Sequence, residues 1–133
     1  MTRERFLAAA AGLAALEIVL KEDLVKNSER VGKVMLARLE AMKEKHRVVG
    51  EVRGRGLLLG VELVKDRRTK EPLSKDVTRA LYQECLRRGL VAMSYAPTIR
   101  INPPLIIRED QALAGLEILD EALEVVTREH GLG

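Results

Sequence analysis

"VVGEVRGRGLLLGVELV", residues 48–64, is the stretch on which the fold turns. Before it, apolar residues recur with a helical period. Within it the period changes, and four glycines are interleaved with β-branched and aliphatic side chains. The run reads as two strands meeting at "RGRG", residues 53–56. The second, Leu57 to Val64, is almost continuously apolar, which predicts cover on both faces. The glycines lead into a strand. A phosphate- or dinucleotide-binding loop would open a helix at its third glycine, so that reading is excluded. Here the glycines let the backbone bend between strands.

Working outward, residues Arg3 to Lys21 form an alanine-rich helical pattern in which Gly12 is expected to mark a tight contact. A second helix follows, with an apolar stripe at Leu24, Val31, Val34, Met35, Leu39 and Met42. Asp23 is its expected N-cap, and Lys43, Lys45 and His46 suit the negative end of its dipole. Downstream, "KDRRTKEPLS", residues 65–74, is a polar loop. Ser74 or Asp76 caps a third helix reaching about Arg88, and Gly89 ends it. "LVAMS" is a strand, "YAP" a turn and "TIRIN", residues 98–102, another strand. Pro103 and Pro104 stop its pairing because neither can donate to a ladder. Residues 109–129 form the last helix, with Leu113, Leu116, Leu119, Leu123 and Val126 on its apolar side. Strands do not alternate strictly with helices, so a doubly wound parallel sheet is not expected. The order predicts one α+β domain over residues 1–133: a small, mostly antiparallel sheet of three to four strands with helices packed on one face.

Composition narrows the function. With 47% hydrophobic and 32% charged residues, the chain can build a core and stay dissolved, and with two Tyr, one Phe and no Trp that core must be aliphatic. The net charge is +3, and its nearest cluster, "VKDRRTK", reads as a solvated loop without aromatic platforms, so no nucleic-acid partner is expected. The longest apolar run, residues 6–20, carries Glu17 and is too short to span a bilayer. No cleavage-site pattern follows the first residues, and a cytoplasmic location is expected. Fifteen Arg against eight Lys points to a heat-tolerant source. Cys85, the single cysteine, falls in a helical pattern and reads as a small buried residue, since His46 and His130 stand at polar element ends. There is no HExxH, no CxxC and no metal-ligand spacing, and Glu51 and Glu62 give no reason to be read as a carboxylate pair.

One feature is left over: Arg100, between Ile99 and Ile101 in an otherwise apolar strand. "FLAAAAGLAALEIVLKEDLVKNSERVG", "VVGEVRGRGLLLGVELVKDRRTKEP", "LRRGLV" and "TIRINPPLII" together resemble the C-terminal small domain of the class-III pyridoxal-phosphate aminotransferases. That group contains the 4-aminobutyrate, ornithine and acetylornithine enzymes, and the chain looks like the 4-aminobutyrate branch. The resemblance covers nearly the whole chain and implies transfer of an amino group from an amino acid to a 2-oxo acid. It also implies that Arg100 is a substrate-binding residue whose planar fork takes a carboxylate, or an active-site glutamate when the carboxylate lies elsewhere. Asn102 and the double proline would hold its strand. Without the resemblance, Arg100 reads as a solvent-facing residue of an edge strand, and Arg53 and Arg55 as structural or surface charges. The family's Schiff-base lysine, pyridine-pairing aspartate and phosphate turn have no counterpart here. "TRERF" replaces the expected Asn-Pro before the first helix. The chain is therefore expected to be a truncated frame or fragment without the large domain. It is expected to contribute no catalytic, cofactor-binding or metal-binding residue, to hold no pyridoxal phosphate and to be inactive alone. A homo-oligomer is expected through the apolar surface the large domain would cover. Two alternatives stay open: an amino-acid racemase of the same family, and a stand-alone, non-catalytic oligomerisation module.

Overall fold

The structure, a computed structural model, describes residues 2–95 and 97–132, without the side chains of residues 93–95. Among the described residues the elements are α1 (Arg3–Lys21), α2 (Leu24–Lys45), β1 (Val49–Arg55), β2 (Leu58–Asp66), β3 (Glu71–Pro72), α3 (Lys75–Arg87), β4 (Met93–Tyr95), β5 (Thr98–Ile101) and α4 (Glu109–Glu129). The sheet runs β1-β2-β5-β4 with every pair antiparallel, and β3 pairs with the far end of β2. The α+β class, the hairpin at "RGRG" and the strand ending before the double proline all agree with the sequence reading. The "YAP" turn includes Ala96, which lies outside the described residues.

The core sits between the sheet and α2, α3 and α4. Val52, Leu59, Val61 and Ile99 from the strands meet Leu39 and Met42 of α2, Leu81 of α3, and Leu119 and Leu123 of α4. It is aliphatic, as the composition required. The hairpin between β1 and β2 is pinned to α2 by a close approach of two glycines. A Cβ on Gly32 would fall inside the van der Waals shell of the Gly56 carbonyl oxygen. Gly56 itself turns the chain at φ +54°. Beside it, the Leu57 N–H donates to Ser28 Oγ at 3.1 Å.

Several expectations need correction. Leu57–Val64 is not covered on both faces: along β2 the burial alternates, and Leu58 is exposed. The period-2 signal was masked because outward positions also carry Leu or Gly. The polar loop contributes the short strand β3, and its Arg67 is not merely solvated. Its guanidinium donates to the carbonyls of Lys43, His46, Arg47 and Val49, closing the C-terminal end of α2. Asp23 stands at the N-cap of α2 but in the left-handed region, with no capping bond. Its carboxylate accepts from Lys26 Nζ at 2.6 Å instead. Ser74 does cap α3, accepting from the Val77 N–H, and Gly89 ends it at φ +88°.

Helix α1 departs furthest. It has no buried residue, and a Cβ on Gly12 would meet nothing within 4 Å, so the expected tight contact is not made among the described residues. The accessible surface totals 8857 Å². A compact monomer of this length would show about 7,000 Å².

Candidate functional site

The face of the sheet away from the helices carries the charges. Strand alternation sends Ile99 into the core and Thr98 and Arg100 to the other side. β5 lies between β2 and β4, so Arg100 is on an interior strand, not the edge strand considered from sequence. Gly60 is paired directly with Arg100 on one side and with Arg53 on the other. A single row, Arg53–Gly60–Arg100, therefore crosses the outer face. The next row is Glu51–Glu62–Thr98, which makes Glu51 and Glu62 direct cross-strand partners. That pairing corrects the reading of the two glutamates as unrelated. It follows from hairpin register, which residue spacing alone does not reveal.

Arg100 is exposed, and among the described residues no hydrogen bond or ion pair engages its guanidinium. Arg53 Nη1 comes only to 3.7 Å from Glu51 Oε2. Arg53 and Arg55 are both exposed. Asn102, expected to steady the strand, is exposed and makes no hydrogen bond among the described residues. The exit from β5 is held from α2 instead. Asn27 Nδ2 donates to the carbonyls of Leu105 at 2.7 Å and Ile107 at 3.1 Å. Arg30 ties Asn27 Oδ1 to Glu109 Oε2, each at 2.9 Å. The turn after the double proline is closed by Ile107 N–H to Pro104 O at 2.9 Å. Below it lies a cavity of about 470 Å³ bounded by Leu90, Ile101, Pro103, Ile107 and Leu116. Its walls are mostly apolar, and Arg100, Asn102 and Gln111 are the polar residues that border it.

Other titratable groups lie away from this face. Cys85 is buried, and desolvation pushes its thiol up to about 11, which leaves no thiolate at neutral pH. His46 is buried, not polar and exposed as its position at the end of α2 suggested. Its Nε2 donates to Asp120, whose carboxylate also accepts from Arg38 at 2.8 Å and Lys45 at 3.0 Å. No alternation rule would have found this cluster, because α4 carries Asp120 beside its apolar stripe. A pyridoxal-phosphate lysine needs a desolvated amine with a lowered pKa. The eight lysines are exposed, or half-buried in the case of Lys43, and those of Lys26 and Lys45 are raised by hydrogen bonds to Asp23 and Asp120. No lysine of this chain therefore fits the aldimine-forming position for that cofactor.

Residues 5–123 match the profile of the family described as "Aminotransferase class-III". The chain belongs to the class-III aminotransferases. Within that family it is 37% identical over 117 residues to a leucine/methionine racemase of Thermococcus litoralis, covering 88% of this chain and 26% of the racemase. It is 35% identical over 133 residues to a taurine–pyruvate aminotransferase of Bilophila wadsworthia, covering 92% of this chain and 28% of that enzyme. A solved Bacillus anthracis aminotransferase superposes with a TM-score of 0.82 at 32% identity, over 85% of this chain and 27% of its own. The chain thus spans about a quarter of the length of these class-III relatives. Its antiparallel sheet under helices is the fold they share with it over that quarter. Among the described residues, no helix is long and apolar enough to cross a membrane.

Proposed function

We propose that this segment serves as the small domain of a pyridoxal-phosphate-dependent aminotransferase of the 4-aminobutyrate type, with Arg100 receiving a substrate carboxylate. The observation that carries the reading is the placement of Arg100: central in the sheet, exposed, and without a partner among the described residues. A guanidinium left unsatisfied on a rigid strand is preorganised for a planar anion. Its strand is fixed at its exit by Asn27, so the fork is presented without further ordering. Closure of the domain over the substrate would exclude water and strengthen that pair. The reaction itself is assigned to pyridoxal phosphate held by polypeptide outside these residues, and no step of it is routed through this chain. Taken alone, the segment is expected to be inactive and to associate with itself through α1, whose surface is apolar and uncovered.

The test is kinetic, in a polypeptide of the relatives' length that carries this segment. Arg100→Gln should raise KM for a carboxylate-bearing amino acid about a hundredfold, as expected for loss of one charge-assisted pair. A primary amine without a carboxylate should be turned over at an unchanged KM. Equal effects on both substrates would overturn the role given to Arg100.

A second reading is favoured by one specific observation. Two of the relatives at 37% identity are racemases, of leucine/methionine and of alanine/serine. Incubating that polypeptide with a single L-amino acid and no 2-oxo acid separates the two. Appearance of the D-form supports the racemase; no change without an acceptor supports the aminotransferase.

A further inference from the structure

Arg100 stands on the second-last residue of a strand only four residues long, Thr98–Ile101. Strand ends open first, because water competes for their last ladder bonds. Extending the ladder would protect the strand, and here the chain forgoes it: Pro103 and Pro104 have no N–H to donate. The loop that follows must be fixed from elsewhere, and α2 fixes it. Asn27 Nδ2 carries two hydrogens and directs both at this loop, to the carbonyls of Leu105 at 2.7 Å and Ile107 at 3.1 Å. Its Oδ1 accepts from Arg30 Nη2 at 2.9 Å. Arg30 has only donors, so it holds the amide oxygen on its own side and the amide nitrogen toward the loop. Arg30 Nη1 continues to Glu109 Oε2 at 2.9 Å, on the first residue of α4. The exit from β5 is thus held at residues 105, 107 and 109. The next residue of α2, Ser28, accepts from the Leu57 N–H at 3.1 Å, just before β2 begins at Leu58. Register places the start of β2 against the end of β5, through Leu59 and Ile101. Two adjacent side chains of one helix therefore clamp both strands at the end nearest Arg100.

We propose that Asn27 is a positioning residue for Arg100: oriented by Arg30 and Glu109, it braces the double-proline loop and keeps β5 from opening at the residue that bears the guanidinium. The proposal rests on the reading that Arg100 takes a carboxylate, and it adds the residue that holds the fork in place. The chemistry admits few substitutes. Both partners in the loop are acceptors, so the bracing group must donate twice from one atom. A carboxylate of the same shape, as in Asn27→Asp, turns two attractive contacts into two repulsive ones. Arg30 has a specific part as well. Its planar fork reaches Asn27 and Glu109 at once from two nitrogens, which an ammonium on a lysine stem does not reproduce. Asn27 is half-buried, whereas Arg30 and Glu109 are exposed, so the amide carries more of the brace than the ion pair does.

Backbone amide hydrogen exchange in this chain reads the brace directly. Asn27→Asp should speed exchange about tenfold at Ile99, Arg100 and Ile101 and at Ile107, whose N–H closes the turn onto Pro104. Leu39 in α2 and Leu119 in α4 should keep their rates. A general loss of stability would speed all of these together, so the local pattern separates positioning from a merely structural role. Arg30→Gln should give a smaller rise, about threefold, at the same amides. Asn27→Gln keeps the amide and should recover part of the difference. Lys33→Gln removes only an exposed partner of Glu29 on the same helix and should change nothing. In a polypeptide of the relatives' length, Asn27→Asp should raise KM for a carboxylate-bearing amino acid about tenfold, with kcat within about twofold. KM for a primary amine without a carboxylate should stay where it was. Unchanged exchange at residues 99–101, or a rise matched at Leu39 and Leu119, would overturn the proposal. A kinetic effect of Arg100→Gln with none from Asn27→Asp sinks the positioning role but leaves the reading of Arg100 standing. No kinetic effect from either removes that reading and the positioning role with it. If Asn27→Asp fails to fold, Arg30→Gln, at an exposed position, decides the matter on the same amides.

Discussion

Helices α1 and α2 are adjacent in the chain and opposite in what they bury. α2 has one apolar stripe, and Leu24, Val31, Met35, Leu39 and Met42 along it are all buried. α1 is apolar nearly all the way round. Phe6, Leu13, Leu16 and Leu20 lie along one side and Leu7 and Ile18 on another, and every one of them is exposed. A helix with a single stripe needs one neighbour; a helix apolar on all sides is built to be enclosed. The contrast teaches that α1 is shaped for a surface the other described residues do not provide. The excess of accessible area over a compact monomer says the same from geometry.

The contrast can be broken by measuring what each helix contributes to stability. Leu39→Ala in α2 should cost about 2–5 kcal/mol in urea unfolding, because its side chain is 1% exposed and the vacated space cannot collapse fully. Leu13→Ala in α1, 60% exposed, should move the midpoint by less than about 0.5 kcal/mol in dilute protein. Equal costs would mean α1 is packed in this chain after all. The glycines sharpen the point further. Gly32→Ala drives a methyl group into the Gly56 carbonyl, a backbone atom that cannot swing aside, and should cost about 1–3 kcal/mol. Gly12→Ala meets open space and should gain up to about 1 kcal/mol from helix propensity.

The same contrast explains what could be read from the sequence. Periodicity reports which side of an element avoids water, so α2, α4 and the hairpin were legible to within a residue or two, and the double proline marked the end of β5 reliably. Periodicity says nothing about what lies against that side. It therefore placed a tight contact at Gly12, where the described residues make none, and passed over Gly32, where they make one. Cross-strand register was hidden for a related reason. The "RGRG" turn fixes β1 against β2, but the pairing of Gly60 with Arg100 joins residues forty positions apart, and only it brings Arg53 into line with Arg100. Likewise Arg67 was read as part of a solvated loop, and Asn27 drew no reading, because their partners are backbone carbonyls, which leave no trace in residue type.

A smaller effect distinguishes the two helices by pH. The contact of α2 with α4 includes Asp120, which is buried. Burial alone would raise its carboxyl pKa, but hydrogen bonds from His46 and Lys45 outweigh that, and the pKa is lowered from its ordinary 3.8. A carboxyl depressed on folding adds stability above its unfolded pKa and loses it as pH falls through the folded value. The stability of the native chain should therefore drop as pH is taken below about 4. Asp120→Asn should be less stable at neutral pH and show a shallower acid limb. Glu17→Gln in α1 removes only an exposed partner of Lys21 at 3.4 Å and should leave the whole pH curve where it was. Parallel acid limbs for native and Asp120→Asn protein, measured by urea midpoints between pH 2.5 and 7, would show that the cluster does not hold α2 against α4. If Glu17→Gln altered the curve instead, α1 would be tied down electrostatically, and the division between an anchored and an unanchored helix would have to be redrawn.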